Sequence, residues 1–440
     1  MKRAIYDVEA NGLLLPKYDK KSGILTPAVS KVWCVVIYDL NTSEVFEYRP
    51  HQLVEAYLKL QEYDLVIGHN ACGYDRVVME TLVGIPNDLG SLPRHGDTLV
   101  MSKLLYGPKK SPTHDGRHSL SSWGKFLGNY KEEFTDFSHF SEEMLKYCVQ
   151  DVLVNVDIYK YLYVRMTPEL KQAYICECKI STLMAYQTTE GMTLNIPLHS
   201  ELMITLELAL AEAKDELAIT IPDKIIPMKS VQYYTDPETN QRYSTKKEAE
   251  TSAIKKRLVN GPLRFKVKPF NPNSPTDLIE FLVGTKGWKP QVKTDAGNPA
   301  TGAAILEKLP YPEMEAILKY RVCDKRLTQC RSWLNFLTDG KVHGSVNPSG
   351  AATWRMTHSD PNLAQVPAAR KPYGKECRAC WGPPQGMMQT GTDAKGLELR
   401  CLGNALAPYD GGRYIDLVLS GEIHNMNQEL LGLAERDDAK

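Results

Sequence analysis

The sequence predicts a multidomain α/β protein, and three observations lead to this fold class. The chain has 440 residues, which corresponds to two to four domains at about 100–200 residues per domain. Strand and helix patterns alternate over residues 1–165, helical patterns dominate residues 166–340, and a strand-rich stretch followed by helices fills residues 341–440. The composition, 42% hydrophobic and 24% charged, is ordinary for a globular chain and excludes intrinsic disorder.

The first region is predicted to form a mixed sheet covered by helices. Two neighbouring strands are separated by a short polar turn, which is typical of a hairpin. The predicted strands lie at residues 2–9, 32–40, 44–49 and 64–68, and the predicted helices begin near Tyr74 and cover 99–105 and 141–162.

The middle region is predicted to contain two long amphipathic helices, over residues 197–217 and 312–336. Thr167 followed by Pro168 is a typical helix start. Residues 218–273 are rich in Pro, Lys and Tyr, and we expect them to be irregular.

A basic stretch lies inside that irregular segment. Residues 242–268 carry nine Lys or Arg against two Glu, which sums to +7. The stretch is either a solvated loop or an arm that contacts phosphates, because each cation that neutralises a phosphate releases a counterion. The candidate DNA contacts are Lys255, Lys256 and Arg257.

The charge balance and the termini exclude several other classes of protein. The chain has 53 basic and 53 acidic residues, which excludes an acidic tail or a polybasic membrane anchor but not nucleic-acid binding. We find no signal peptide and no apolar run near the ~18 residues that span a bilayer, so we expect a cytoplasmic protein without a membrane partner. The ten cysteines include one CxxC, at residues 377–380, without the further ligands that zinc requires, which favours free thiols.

Two acidic residues mark the first candidate site. Asp7 and Glu9 lie two apart on the first predicted strand, so their side chains share one face. Buried like charges are costly unless a cation neutralises them. The pair alone is a weak signal, because an exposed strand face produces the same pattern.

Two later motifs strengthen this site. Asp75 ends the motif HNACGYD, after a buried strand and at the sheet edge where α/β proteins bind ligands. Tyr147 and Asp151, in YCVQD, lie four apart on one helical face. With Asp7 and Glu9, the two later acids could hold two divalent cations, one to activate water and one to stabilise a leaving oxygen, while the neutral Tyr147 hydroxyl orients the water. The alternative is a chance set of surface acids beside a buried tyrosine.

The order DVE, HNACGYD and YCVQD resembles the DEDD superfamily of 3′–5′ exonucleases, in the subgroup with tyrosine in its third motif. The resemblance implies a ribonuclease H-like exonuclease domain over residues 1–165. It implies that two Mg²⁺ or Mn²⁺ ions are bound, that Asn70 contacts a single-stranded DNA 3′ end, and that the catalytic set is Asp7, Glu9, Asp75, Tyr147 and Asp151, of which the four acids are metal ligands.

The last hundred residues carry a second set of candidates. Asp393 lies in a strand-like stretch at residues 389–399 and is a candidate metal ligand. Arg436 and Lys440 lie four apart, so a helix would present both charges to a triphosphate. Each signal is weak alone, because such charges are usually solvated.

Together with the motifs HGSVNPSG, PNLAQVP and DAKGLELRCL, these residues resemble family A DNA polymerases of the polymerase-I type, notably the replicative enzymes of T-odd podophages. The resemblance runs from Asp7 to Lys440 and implies a thumb at 166–340, the start of a palm and fingers at 341–440, and a phage protein in the bacterial cytoplasm. It implies metal ligation by Asp393 and the Ala394 carbonyl with two Mg²⁺ or Mn²⁺ ions, dNTP contacts by Glu398, His424, Arg436 and Lys440, and primer–template contacts by Arg355 and Gln365.

Three positions depart from the family pattern. Trp354 stands where the family usually has glycine, beside Arg355, and Lys395 replaces a small residue. The segment at 218–273 looks shorter than the thioredoxin-binding insertion of those polymerases, so we do not expect thioredoxin as a partner.

The resemblance also predicts that the chain stops inside the fingers helix, before the second palm carboxylate, so that it should not polymerise DNA alone. A separate C-terminal fragment, intein splicing and a partial sequence are the three open explanations. We therefore expect the N-terminal portion of a replicative polymerase with proofreading. The alternatives are a stand-alone 3′–5′ exonuclease and a non-catalytic DNA-binding subunit.

Overall fold

The computed structural model describes residues 1–18, 25–26, 28–130, 134–248 and 252–433. The chain separates into two compact units, Met1–Gly382 and Pro383–Lys440. The first part of the first unit contains β1 Arg3–Ala10, β2 Lys17–Tyr18, β3 Leu25–Thr26, β4 Val32–Asp39, β5 Val45–Tyr48, α1 Leu53–Gln61, β6 Leu65–Gly68, α2 Asp75–Met79, β7 Arg94–Asp97, α3 Thr98–Tyr106, α4 Leu120–Leu127 and α5 Glu142–Tyr163.

A five-stranded mixed sheet organises this part, in the order β5-β4-β1-β6-β7. Strand β4 runs antiparallel to β1 and β5, whereas β1, β6 and β7 are parallel. The mixed sheet with covering helices confirms the predicted α/β class.

The two faces of β1 bury different residues, as the period of two requires. Ile5 belongs to a core shared with Cys148 and Val152 of α5, while Tyr6 and Val8 belong to a core shared with α1. Asp7 and Glu9 therefore lie on the face that α5 covers.

The middle of the first unit is mostly helical. Its elements are α6 Pro168–Glu190, β8 Met192–Thr193, α7 Ile196–Thr220, β9 Lys224–Val231, β10 Tyr234–Thr235, β11 Arg242–Tyr243, α8 Ser252–Arg257, β12 Val259–Asn260, β13 Leu263–Lys268, α9 Pro275–Glu280, α10 Ala303–Leu306 and α11 Glu313–Leu334. The predicted cap at Thr167 is present, since its side chain accepts the Leu170 N–H. Helices α7 and α11 pack antiparallel, because Leu206 shares a core with Leu327, whereas Leu217 shares one with Ile317.

The prediction that residues 218–273 are irregular is wrong. Strands β9 and β13 pair antiparallel, and β10 pairs with both β11 and β12. The sequence of β13, LRFKVK, alternates apolar and basic residues, which is a strand pattern. The side chains of β13 are exposed, that of Phe265 by 57%, so its apolar residues do not form a buried face.

The first unit ends with β14 Leu337–Thr338, β15 Lys341–Val342, β16 Ser345–Asn347, β17 Thr357–Ser359 and α12 Gly374–Ala379. The second unit contains α13 Leu397–Asp410, α14 Arg413–Ser420 and α15 Ile423–Leu431. None of the described helices combines the length and the apolar character needed to cross a membrane.

The predicted strand at residues 389–399 is absent, so Asp393 does not end a strand. Helix α13 begins at Leu397 instead, within the stretch predicted as a strand. Gly396 precedes α13 with φ of 63°, a left-handed backbone that breaks the extended run.

Candidate functional site

The described residues bring Asp7 and Glu9 together with Cys148. One ligand atom from each of these side chains lies within 4.8 Å of the others. The Cys148 Sγ lies 3.8 Å from Asp7 Oδ2, and Glu9 is buried. Cys148 is one residue beyond Tyr147 on α5, the helix that covers this face of β1.

Asp75 is attached to the same strand through the backbone. The β1–β6 pairing ends at Ile5 and Ile67, and the Val8 N–H donates instead to Asp75 Oδ1 at 3.1 Å. This bond fixes Asp75 beside the segment that carries Asp7 and Glu9. Burial raises the pKa of Asp75 to about 7, so its charged form is costly without a neutralising partner.

A buried carboxylate, Asp97, holds the loop before α2. It accepts the backbone N–H groups of Asn70 at 2.9 Å and Cys72 at 3.1 Å, and it also caps α3. Asn70 sits at φ of 70°, a left-handed conformation that asparagine tolerates. Burial nevertheless raises the pKa of Asp97 to about 6.

Tyr147 lies in an aromatic cluster on α5. Its ring centroid is 5.5 Å from that of Phe134 and 6.2 Å from that of Phe137. The Phe137 carbonyl in turn accepts the Trp33 indole N–H at 2.9 Å. These contacts fix the ring, so the direction of the hydroxyl is set by packing. Asp151, one turn further along α5, is also buried.

The donor set fits divalent cations. Carboxylate oxygens are the ligands that Mg²⁺ and Mn²⁺ prefer, and Asp7 and Glu9 converge on one point. Within the described residues, Asp75 and Asp151 do not belong to the 4.8 Å set, so ligation by all four acids stays a prediction.

A large cleft opens beside the loop that Asp97 holds. Its volume is about 1300 Å³, and its lining includes Asn70, Gly73, His343, Trp354 and Asn362. All of these residues belong to the first unit. Arg355, next to Trp354, and Gln365 are exposed. The predicted DNA contact Asn70 therefore lines an open cleft.

The predicted polymerase residues of the second unit are only partly described. Asp393, Ala394 and Glu398 are exposed, and Glu398 lies in the first turn of α13. His424 lies in α15, and Arg436 and Lys440 fall outside the described residues. The roles predicted for these residues stay predictions.

The basic stretch contains two kinds of cation. Lys255 and Lys256 of α8 are exposed. Arg257 instead donates from Nε and Nη2 to the two carboxylate oxygens of buried Asp236, at 2.7 and 2.6 Å, and these bonds lower the pKa of Asp236 to about 2. Arg257 therefore holds the local fold, and its charge is already paired.

Sequence reasoning missed two residues of this site. Cys148 was overlooked although it lies within the YCVQD motif, because its proximity to Asp7 depends on how α5 packs on β1. Asp97 ends β7 and immediately precedes an apolar helix, which is the pattern of an N-cap and could have identified it.

Comparisons with known proteins give the family. The model of DNA polymerase family A matches residues 238–407. The DNA-directed DNA polymerase of Escherichia phage T7 is 31% identical over 99% of this chain and 74% of its own length, and that of Enterobacteria phage T3 is 30% identical over the same shares. The thermostable DNA polymerase I of Thermus aquaticus is 34% identical over 39% of this chain and 22% of its own length.

A solved structure shares the fold. The polymerase domain of Pol1 from M. smegmatis, in complex with DNA primer-template and dNTP, superposes with a TM-score of 0.57 at 14% identity. The match covers 87% of this chain, which spans about half (55%) of that chain. The architecture is therefore that of a DNA polymerase domain. By its relationship to the phage enzymes, the chain belongs to DNA polymerase family A.

Proposed function

We propose that the protein takes part in template-directed DNA synthesis and carries a 3′–5′ proofreading exonuclease in its first 165 residues. Family membership supports the synthetic role. The observation that carries the exonuclease is the convergence of Asp7 and Glu9 with Cys148 on the face covered by α5, the helix that also carries Tyr147.

The sheet order supports a ribonuclease H-like domain. One antiparallel hairpin, β4–β5, extends a parallel set, and the acids of the proposed site come from β1, from the start of α2 and from α5. Acids from separate elements converge in this way when a site is built at one edge of a sheet.

Each residue of the site has a proposed task. Asp7, Glu9, Asp75 and Asp151 bind two Mg²⁺ or Mn²⁺ ions, which when bound supply activated water and stabilise the leaving oxygen. The Tyr147 hydroxyl orients the attacking water, and Asn70 contacts the single-stranded 3′ end in the cleft.

DNA synthesis uses the second unit and the basic stretch at residues 242–268, between α7 and α11, which we call the arm. Asp393 and the Ala394 carbonyl bind metal, and Glu398, His424, Arg436 and Lys440 contact the incoming dNTP. Arg355, Gln365, Lys255 and Lys256 contact primer–template DNA, while Arg257 supports the arm by pairing with Asp236.

Degradation of single-stranded DNA labelled at its 5′ end tests the exonuclease. We expect Mg²⁺-dependent shortening from the 3′ end, and loss of at least about 10³ in rate for Asp7→Ala with Glu9→Ala. The matched control is Glu44→Ala with Glu47→Ala, two exposed acids near or in β5 of the same sheet, which should retain the rate. Undiminished degradation by the Asp7/Glu9 variant would place the nuclease elsewhere.

Primer extension tests synthesis. Because the resemblance predicts that this chain does not extend primers alone, extension is measured with primed template, dNTPs and Mg²⁺ after co-expression with a C-terminal polypeptide that supplies the second palm carboxylate. Asp393→Ala should lower that rate by at least about 10², because the residue is a proposed metal ligand. The nuclease assay and the extension assay use different sites, so each can fail without the other.

A further inference from the structure

We propose that Cys148 is a sulfur ligand for a cation held by Asp7 and Glu9, so that this site binds Zn²⁺ or Cd²⁺. The three donors form the group of His, Cys, Asp and Glu side chains in the described residues whose ligand atoms lie within 4.8 Å of one another. Metal binding at this site can be measured without any catalytic activity. The effect of the bound metal on hydrolysis rests on the proposed exonuclease.

The distance between the Cys148 sulfur and the Asp7 carboxylate is close to the one that a shared cation requires. In a tetrahedral site with metal–oxygen and metal–sulfur distances of about 2.1 and 2.3 Å, an oxygen and a sulfur lie about 3.6 Å apart. The Cys148 Sγ lies 3.8 Å from Asp7 Oδ2, so a cation between them needs only a small adjustment of either side chain.

The position of Cys148 is fixed from two sides. The residue is fully buried in the core that α5 forms with β1, and its Sγ contacts the Asp7 carbonyl at 3.7 Å as well as the carboxylate. Without a cation the S–H group donates to these oxygens. On ligation the sulfur–hydrogen bond breaks, a metal–sulfur bond forms, and the proton leaves to solvent.

The donor chemistry selects the kind of metal. Two carboxylates alone suit hard cations such as Mg²⁺, whereas an added thiolate favours softer cations such as Zn²⁺ and Cd²⁺. The same pocket therefore has two classes of occupant, and a thiophilic ion bound through Cys148 would compete with the catalytic cation.

Cadmium titration of the metal-free protein tests the site directly. A thiolate–Cd²⁺ bond gives a charge-transfer band in the ultraviolet, and a background of Cys176→Ser with Cys401→Ser removes the two exposed thiols. In this background we expect one equivalent of the band to disappear both in Cys148→Ser and in Asp7→Asn. The Asp7 variant keeps the Cys148 thiol, so its loss of the band requires a shared site.

Cys34 provides the matched control. It is a buried thiol on β4, opposite Glu9 in the β1–β4 register, and it hydrogen-bonds to Cys148 but does not belong to the close group. Cys34→Ser should keep the band. A band that persists in Asp7→Asn would overturn the proposal. A band that is lost in Cys34→Ser but kept in Cys148→Ser would also overturn it. The Asp7→Asn measurement decides the question even if Cys148→Ser fails to fold.

Inhibition separates this inference from the proposed function. Zn²⁺ should inhibit the Mg²⁺-dependent nuclease, and Cys148→Ala should raise the inhibitory Zn²⁺ concentration at least about 10-fold. Unchanged inhibition would overturn the competition. If the protein shows no nuclease activity but the cadmium band depends on Cys148 and Asp7, the metal site stands and the exonuclease fails.

Discussion

The carboxylate of Asp97 accepts the backbone N–H of Asn70 at 2.9 Å, and this bond holds the loop that leads into α2. The second carboxylate oxygen accepts the Cys72 N–H at 3.1 Å. Because α2 begins at Asp75, the placement of this acid depends on Asp97, which is itself remote from Asp7 and Glu9 in the sequence. The site is thus positioned by a residue that does no chemistry in it.

Replacing Asp97 by Ala should destabilise the protein and slow the nuclease. The change leaves the N–H groups of Asn70 and Cys72 and the first turn of α3 without their acceptor. We expect the free energy of unfolding in urea to fall by about 2–4 kcal/mol, since each buried donor that loses its partner costs about 1–3 kcal/mol. Asp215→Ala, an exposed acid on α7, is the control and should change stability by less than about 0.5 kcal/mol. Equal stability of the two variants would contradict this role.

The pH dependence of metal-free stability should report Asp75. Burial raises the pKa of this carboxyl from 3.8 to about 7, so the folded protein binds the proton more tightly than the unfolded chain does. The contribution of Asp75 to the free energy of unfolding is therefore complete below about pH 4. It is lost as the pH rises to about 7, and this loss amounts to at most about 4 kcal/mol.

Asp75→Asn tests this directly by urea unfolding in EDTA. The amide oxygen can still accept the Val8 N–H, but the side chain no longer ionises. We expect the variant to match the wild type near pH 4 and to be more stable at pH 8. Mg²⁺ at 100 times its Kd should narrow this difference at pH 8, because it stabilises the wild type by about 2.7 kcal/mol. Parallel pH profiles in EDTA would count against a buried, proton-binding Asp75.

Regular periodicity explains what the sequence could predict about this site. A strand repeats every two residues, so Asp7 and Glu9 fell on one face, and a helix places Tyr147 and Asp151 one turn apart. Both patterns are properties of a single element. The contact of Cys148 with Asp7 belongs to two elements packed together, and no spacing within the sequence encodes it.

Local sequence patterns led to wrong secondary-structure predictions in two places. We predicted a strand over residues 389–399, but Gly396 adopts a left-handed backbone and α13 starts after it. The reverse holds for β13, which is a strand although we predicted an irregular segment. Its alternation of apolar and basic residues lies within a stretch rich in Lys and Pro. In both places the deciding factor was backbone conformation or pairing with a distant strand, β9 in the second case.

Tyr147→Phe should separate the hydroxyl from the ring. Phenylalanine keeps the ring contacts with Phe134 and Phe137, so the melting temperature should hardly change. The nuclease kcat should fall about 10²-fold if the hydroxyl orients the attacking water. Single-turnover degradation of a labelled strand measures this, with the exposed Tyr130→Phe as the control. A kcat within twofold of the wild type would show that the hydroxyl has no role.

The cations of the arm should divide into DNA contacts and structural groups. Lys255→Ala with Lys256→Ala should weaken DNA binding and reduce the slope of log K against log salt by about 1.8, since each phosphate contact contributes about 0.9. Arg257→Ala should instead leave buried Asp236 without its partner and disorder the arm, which hydrogen exchange would detect. Lys59→Ala, a cation on α1 paired with Glu62, is the binding control. An unchanged salt slope for the double variant would remove α8 from the DNA surface.

Trp354 should be an unfavourable residue for the backbone that it occupies. Its φ is 63°, in the left-handed region, where residues with a Cβ lose about 1–2 kcal/mol relative to the usual conformation. Glycine adopts this conformation freely but loses about 0.5–1 kcal/mol of chain entropy on folding, so Trp354→Gly should be neutral or up to about 1 kcal/mol more stable.

Trp354→Ala isolates the backbone effect. It removes the indole, which is 37% exposed, but keeps a Cβ at the strained position. The Gly variant should therefore be more stable than the Ala variant by about 1 kcal/mol in urea unfolding. The neighbouring Thr353 has a negative φ, and there the order should invert, with Thr353→Ala more stable than Thr353→Gly by about 0.5–1 kcal/mol. If Ala were favoured at both positions, the left-handed backbone at Trp354 would be incorrect, and with it the explanation of why glycine suits this turn beside Arg355.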